Sequence, residues 1–347
     1  MQNIKYKKNN FNQFTIEARL FEKKDDFLIC KTCGHECNLK VGQVGFCKTR
    51  KNINGKLYTL IFGKISSISN NPIEKKPFFH FHPGSRALTV GSFSCNFTCN
   101  WCQNYHLSKV DPLKPHVTFI YPNTLVQLAK KRGSEGLCYS FNEPTLLLEH
   151  SLESFKIARK EKLYNTYVSN GYMSLNAAKL LVEHGLDAIN IDIKGNNSIV
   201  KKYCNANLDI IFQNAVFFKK QNIHIELTTL VVTGVNDNLS IIEELAKRII
   251  DELGHDTPWH LTRYYPEYKL NNPPTSIKLL EKARNIGKKQ GLDYVYIGNV
   301  PDHEYENTFC PKCGNLLIKR SIFSILQNHL NDIDKCPHCK TEILLVN

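Results

Sequence analysis

The sequence predicts an α/β protein, a full or partial (β/α) barrel with a small cysteine-rich unit at each end. Three observations lead there. From about residue 88 to 298, short β-branched or aromatic runs alternate with amphipathic helical runs, the pattern of a parallel sheet with right-handed crossovers. Eleven of the 13 cysteines fall into three tight clusters, one within the alternating region and one on each side of it. Polar residues of the alternating region gather just after its strands, on the face where such folds carry their active sites.

The expected units are 1–75, 76–302 and 303–347. In the first, "MQNIKYKKNN" has no apolar stretch of the signal-peptide kind. "TIEARLFEKKDDFLICKTC" and "CNLKVGQVGFCKTRKNINGKLYTL" follow, rich in turn residues, with Asn54-Gly55 suited to a tight hairpin turn. In the aromatic run after it, Phe78, Phe79, His80, Phe81 and His82 either pack under the barrel as a linker, the commoner fate, or approach its mouth. Barrel strands are expected at 87–94, 137–141, 164–169, 187–193, 223–232, 259–265 and 294–298. Helical stretches between them include "NTLVQLAKKRG" with Asn123 as cap, "SLNAAKLLVEHG" capped by Ser174 and stopped by Gly185, and "NLSIIEELAKRIIDELG".

Composition narrows the class. Hydrophobic residues make up 42% and charged residues 22%, enough for a core and against wholesale disorder. No run of eighteen apolar residues occurs, so a soluble, cytoplasmic protein without membrane attachment is expected. The formal charge of +13 overstates the basic character, because metal-bound cysteines are thiolates. Two four-thiolate zinc sites and one three-thiolate 4Fe-4S cluster would bring it to about +8. No dense basic block follows Lys5, Lys7 and Lys8, which speaks against a nucleic-acid face.

The cysteine spacings suggest metals. Cys310-x2-Cys313-x22-Cys336-x2-Cys339 forms two knuckles able to present four thiolates to zinc, with Gly314 relieving the first turn; a rubredoxin-like iron site is the alternative. Cys30-x2-Cys33-x3-Cys37-x9-Cys47 also supplies four thiolates, with His35 as a possible substitute; it suits zinc or an iron-sulfur cluster, and structural zinc is favoured. Cys95-x3-Cys99-x2-Cys102 has only three. Cys138 sits on a strand and reads as a small buried hydrophobe, while Cys204 has no partner at metal spacing. Three thiolates suffice for a 4Fe-4S cube that leaves one iron open to a substrate or cofactor.

Cys95, Cys99 and Cys102 on the loop after the first barrel strand resemble the motif of the radical S-adenosylmethionine (SAM) superfamily, with Trp101 in its aromatic position. That resemblance implies a 4Fe-4S cluster whose open iron chelates SAM, and cleavage of SAM to methionine and a 5'-deoxyadenosyl radical that abstracts hydrogen. "SFNEP" stands where many members have Gly-Gly-Glu-Pro, which assigns Glu143 to the SAM amino group and puts Phe141 and Asn142 in place of the two glycines, Asn142 being the residue type that better tolerates unusual dihedrals. By similarity to the pyruvate formate-lyase-activating branch, Ser169, Asn170, Asp192 and Lys194 contact the SAM ribose and carboxylate, and His260 lies near the adenosine. Taken singly, Asp192 could cap a helix and His260 could be a satisfied core residue.

Across nearly the whole chain, "CNLKVGQVGFCKTR", "NPIEKKPFFHFHPGS", "YSFNEPTL", "WHLTRYYPEYK" and "IGNVPDHEYENTFCPKCG" resemble the radical SAM protein of the AmmeMemoRadiSam system. This implies association with Memo-type and AMME-type proteins and an electron donor such as a ferredoxin or flavodoxin, but no substrate and no catalytic residue. A radical SAM enzyme acting on an unknown substrate is the leading expectation. An activase installing a glycyl radical on a partner enzyme comes second, and a non-catalytic multi-zinc module binding nucleic acid or protein third.

Overall fold

The computed structural model describes residues 12–330 and 334–347; Lys5, Lys7 and Lys8 lie outside them. The chain opens with two three-stranded antiparallel sheets. Their strands are β1 (Ile16–Glu17), β2 (Phe21–Lys24), β3 (Phe27–Cys30), β4 (Asn38–Lys40), β5 (Arg50–Ile53) and β6 (Lys56–Thr59), ordered β1-β6-β5 and β2-β3-β4. Asn54 and Gly55 join β5 to β6 with φ of 51° and 79°, the two left-handed residues of a type I′ hairpin turn.

An eight-stranded sheet forms the centre, in the order β14-β13-β12-β11-β10-β9-β8-β7. Its strands are β7 (Ser67–Pro72), β8 (Arg86–Gly91), β9 (Gly136–Tyr139), β10 (Tyr164–Ser169), β11 (Ala188–Asp192), β12 (His224–Val231), β13 (Trp259–Arg263) and β14 (Val295–Gly298). From β8 onward neighbours run parallel in chain order, with helices at each crossover: a partial barrel, open between β7 and β14. The edge strand β7 runs antiparallel to β8, so 67–72, counted by sequence with the N-terminal unit, belongs to the barrel sheet. "SISNNP" is too polar and Pro-terminated to announce a strand, yet an edge position tolerates both features.

The helices are α1 (Tyr105–Ser108), α2 (Pro122–Lys131), α3 (Leu148–Lys160), α4 (Leu175–His184), α5 (Asn197–Ile199), α6 (Leu208–Lys220), α7 (Leu239–Leu253) and α8 (Ile277–Gln290). Ser174 caps α4 by accepting from Ala177 N at 3.1 Å, and Gly185 ends it in the left-handed region at φ 97°. Asn123 does not cap α2. Tyr121 holds the cap position with Pro122 in the first turn, where proline's missing N–H costs nothing, and Asn123 Oδ1 accepts from Thr124 N instead. None of the helices is long and apolar enough to cross a membrane, among the described residues.

Strand alternation sorts side chains into two populations. Leu137, Tyr139, Ile189, Ile191, Ile225, Leu227, Leu261 and Ile297 face the helices and build the main core with Phe155, Leu181, Phe212, Leu245 and Ile249. The opposite face turns into the half-barrel, and its lower part is filled by the aromatic run. Phe78 and Phe81 pack with Ile73, Ala87, Cys138 and Ala188, while Phe79 N and His80 N donate to Glu226 Oε1 at 2.8 and 2.7 Å. The run thus plugs the end of the barrel opposite the cysteine loop; it does not border the mouth.

The C-terminal unit, β15 (Thr308–Phe309), β16 (Leu316–Ser321) and β17 (Ser324–Asn328), docks beneath this plug. Val346 exchanges backbone hydrogen bonds with His80 and His82. The buried Arg320 donates to Phe79 O at 2.8 Å and to Thr308 Oγ1 at 2.7 Å, and stacks on the Phe79 ring at 4.2 Å. The N-terminal unit is tied by an ion pair: buried Arg50 meets buried Glu149 of α3 at 2.6 Å and also donates to Leu146 O.

Candidate active site

The loop after β8 carries Cys95, Cys99 and Cys102 into a cleft of about 430 Å³ at the C-terminal end of the strands. Each thiol is met by a polar group. Phe97 N donates to Cys95 Sγ at 3.3 Å, Ser108 Oγ lies 3.1 Å from Cys102 Sγ, and Cys204 Sγ lies 3.5 Å from Cys99 Sγ. Cys204, without a partner in sequence, therefore has one in space. It stands on the turn of π-helix Val200–Cys204 packed against the cysteine loop, where Thr98 Oγ1 donates to Tyr203 O at 2.8 Å. No spacing rule links residues 105 apart. Cys138, as expected, is buried in β9.

The loop is clamped by Asn142. Its Oδ1 accepts from Ser92 N and its Nδ2 donates to Ser94 O, both at 2.9 Å, so both ends of the carboxamide are committed to the loop. The unusual backbone that a glycine would supply falls on Phe141, at φ 71°, a costly value for a bulky residue. Three contacts compensate. Asn104 Nδ2 donates to Phe141 O at 2.7 Å, Lys76 Nζ stands 4.4 Å over the ring, and Gly91 leaves the space it needs, since a Cβ there would sit 3.0 Å from Phe141 Cδ2.

Glu143 is buried at the cleft wall. Oε1 accepts from Thr145 N, Thr145 Oγ1 and Ser169 Oγ at 3.0, 2.6 and 2.8 Å, whereas Oε2 accepts only from Asn170 N at 2.9 Å and keeps acceptor capacity. Burial pushes its carboxyl pKa up, against the pull of these donors. Ser169 thus acts through Glu143. Asn170 lines the cleft and donates to Asn96 Oδ1 at 2.8 Å. Across the cleft Asp192 and Lys194 pair at 2.9 Å; burial disfavours the ammonium, but Asp192 and the Cys99 thiol outweigh it and hold Lys194 firmly protonated. Trp101 lies in the wall, buried, 5.4 Å from the Tyr203 ring, its indole N–H without a hydrogen-bond partner among the described residues.

His260 does not reach the cleft. It is buried in the lower layer, Nε2 2.6 Å from Glu226 Oε2, its ring edge-on to Phe79. Burial alone would raise the Glu226 carboxyl, but the hydrogen bonds of His224 and His260 win and hold it far below the usual range. On β13 the cleft residue is Thr262, one pleat repeat farther along the same face. Sequence reasoning also missed Asn190 and Thr228, joined at 2.9 Å, and Lys76. Strand period 2 counted inward from Asp192 would have found Asn190. Lys76 is buried, makes no hydrogen bond or ion pair through Nζ among the described residues, and is lowered in pKa by burial.

The three cysteine groups differ in geometry. Cys310 Sγ and Cys339 Sγ lie 3.5 Å apart, Cys313 Sγ and Cys336 Sγ 3.7 Å, and all four fall within 4.8 Å of one another. Tetrahedral zinc with bonds of about 2.3 Å needs thiolates roughly 3.8 Å apart, so this quartet fits zinc. Among the described residues no other group of three or more Cys, His, Asp or Glu is so compact. Cys95, Cys99 and Cys102 do not gather within 4.8 Å; thiolates on separate corners of a four-iron cube stand farther apart than the ligands of one zinc. A larger hollow, about 920 Å³, opens at the other end of the sheet beside Glu135, Arg159 and Asp187, but no cysteine reaches it.

The chain resembles known proteins in sequence and in fold. The family model described as "Radical SAM superfamily" matches residues 90–249. The uncharacterized protein MJ0808 of Methanocaldococcus jannaschii is 41% identical over 333 residues, covering 95% of this chain and 99% of that one. Streptococcus suis SuiB bound to S-adenosylmethionine superimposes with a TM-score of 0.50 at 12% identity, over 69% of this chain and 56% of that one. A domain of pyruvate-formate lyase-activating enzyme from Bacteroides vulgatus gives a TM-score of 0.42 at 17% identity, over 48% of this chain and all of that one. With three open-spaced cysteines at the head of a partial β/α barrel and the family model spanning that loop, the chain belongs to the radical SAM superfamily.

Proposed function

We propose that this radical SAM enzyme cleaves SAM reductively, to methionine and a 5'-deoxyadenosyl radical that takes a hydrogen atom from a substrate held in the same cleft. The observation that carries the reading is the convergence of Cys95, Cys99, Cys102, Trp101, Glu143, Asn170, Asp192 and Lys194 on one cleft from separate strand ends. A bound 4Fe-4S cluster supplies the electron for this chemistry. The chain's residues bind and orient. Glu143 Oε2 offers an acceptor to the SAM amino group, and the Asp192–Lys194 pair offers both charges to its hydroxyls and carboxylate. Asn142 works indirectly, holding the loop. Lys76 gives the cleft an uncompensated cation, suited to a carboxylate or phosphate of the substrate. The zinc-like C-terminal quartet serves docking beneath the barrel, away from the cleft. A ferredoxin or flavodoxin as donor, and Memo-type and AMME-type proteins as associates, follow from the sequence resemblance.

The test is anaerobic reconstitution, dithionite reduction and chromatographic detection of 5'-deoxyadenosine from added SAM. Cys99→Ala should abolish the product and leave about one zinc per chain; a variant that still cleaves SAM would end the proposal. Glycyl-radical activation remains the second reading, tested by trapping a glycyl-radical partner anaerobically.

A further inference from the structure

The N-terminal cysteines have a geometry the rest of the molecule helps to interpret. Cys30, Cys33 and Cys47 are buried and Cys37 is half-buried, and Cys47 lies within electrostatic range of the other three thiols. Yet no three of them come within the 4.8 Å that gathers the C-terminal quartet. The same chain therefore shows one quartet at zinc spacing and one spread wider. His35 does not close the gap: its Nε2 is 2.7 Å from Asn96 O, and its ring lies 4.3 Å from that of Phe46.

Two buried donors beside the quartet lack ordinary hydrogen-bond partners. Arg50 Nε has none, although the guanidinium is within electrostatic range of Cys30 and Cys47, and Asn96 Nδ2 makes no hydrogen bond of normal geometry but faces the Cys33 sulfur. Buried N–H groups rarely go unpaired unless a bound group meets them. Other donors already face the sulfurs: Thr49 Oγ1 lies 3.1 Å from Cys47 Sγ, and Phe46 N donates to Cys37 Sγ at 3.4 Å. Four spread thiolates with surplus N–H donors suit an anionic cube whose inorganic sulfides also accept hydrogen bonds.

We propose that Cys30, Cys33, Cys37 and Cys47 hold a second 4Fe-4S cluster, with Arg50 and Asn96 donating to its sulfurs. All four corners are ligated by protein, so this cluster has no open iron for SAM. It backs directly onto the first site. Ser94 Oγ donates to Cys47 O at 2.6 Å, and Asn96 Oδ1, on the residue next to Cys95, accepts from Asn170.

The full chain is purified anaerobically from iron-replete cells and assayed for iron, sulfide and zinc, as wild type and as the Cys95→Ala/Cys99→Ala/Cys102→Ala variant. Expected are about eight irons per chain in the wild type and about four in the triple variant, each with about one zinc. The dithionite-reduced EPR signal of the variant should not change when SAM is added. Cys33→Ser/Cys47→Ser should lose half the iron and keep the SAM-responsive signal. Four irons with two zincs in the wild type, or an iron-free triple variant holding two zincs, would overturn the proposal. Loss of SAM binding alone would not touch it.

Discussion

Asn142→Ala should release the cysteine loop while leaving its ligands in place. The substitution removes two hydrogen bonds of 2.9 Å, one accepted from Ser92 N and one donated to Ser94 O, in a segment where Ser94 already adopts φ 71°. Each bond contributes about 1 kcal/mol net, and a partner stranded away from water costs about 1–3 kcal/mol, so loop closure should weaken by roughly 2–4 kcal/mol. At 1.4 kcal/mol per tenfold, the open-loop population rises roughly 30- to 700-fold. Cluster loss runs through that open state, so the rate of bleaching by a chelator, followed at visible wavelengths in anaerobic protein, should rise by a comparable factor. Asn142→Asp keeps the acceptor for Ser92 N but sets a carboxylate against Ser94 O, and should bleach nearly as fast. Global stability should hardly change, because the clamp serves one loop. A bleaching rate within twofold of wild type for Asn142→Ala would refute the clamp.

Other expectations concern neighbouring features. Cys204→Ala should keep its iron but lower the reduction potential of the barrel cluster by roughly 20–60 mV, the worth of one lost hydrogen bond to a ligand sulfur; an unchanged potential in a redox titration would deny Cys204 that role. Glu149→Ala strands the buried Arg50 and should cost about 3–5 kcal/mol in denaturant unfolding; a loss below 1 kcal/mol would mean that water reaches the pair. Burial lowers the pKa of both His80 and His150 to about 4, against about 6.5 in an unfolded chain. Their contribution is complete above pH 6.5 and is lost as pH falls toward 4, so stability at pH 5 should be about 4 kcal/mol below that at pH 7. His150→Gln should flatten part of that slope, and an unaltered slope would count against the assignment.

Much of this architecture is written in local pattern. The strand at 164–169 was placed to the residue, and those expected at 187–193, 223–232 and 294–298 each overran by a residue or two, because alternation and turn signals are short-range properties. Ser174 and Gly185 were equally legible. Failures came where distant residues decide. Asn123 lost the cap to Tyr121 because Pro122 already fixes the first turn. Of the two residues standing in for glycines, the bulky Phe141 and not Asn142 took the left-handed backbone, since Gly91 on the neighbouring strand made room for it. His260 carries the right residue type one pleat repeat too deep, where Glu226 claims it. Cys204 found Cys99 only through packing of a segment 105 residues away.

The aromatic plug changes how traffic through the barrel must run. With Phe79 seated against Glu226, His260 and Tyr296, and Phe78 and Phe81 packed on Ala87, Cys138 and Ala188, the chamber is closed at its lower end. Nothing threads from the cysteine loop through to the C-terminal unit. A molecule that reaches the loop cannot leave by the plugged end, so arrivals and departures share the strand-end side of the sheet.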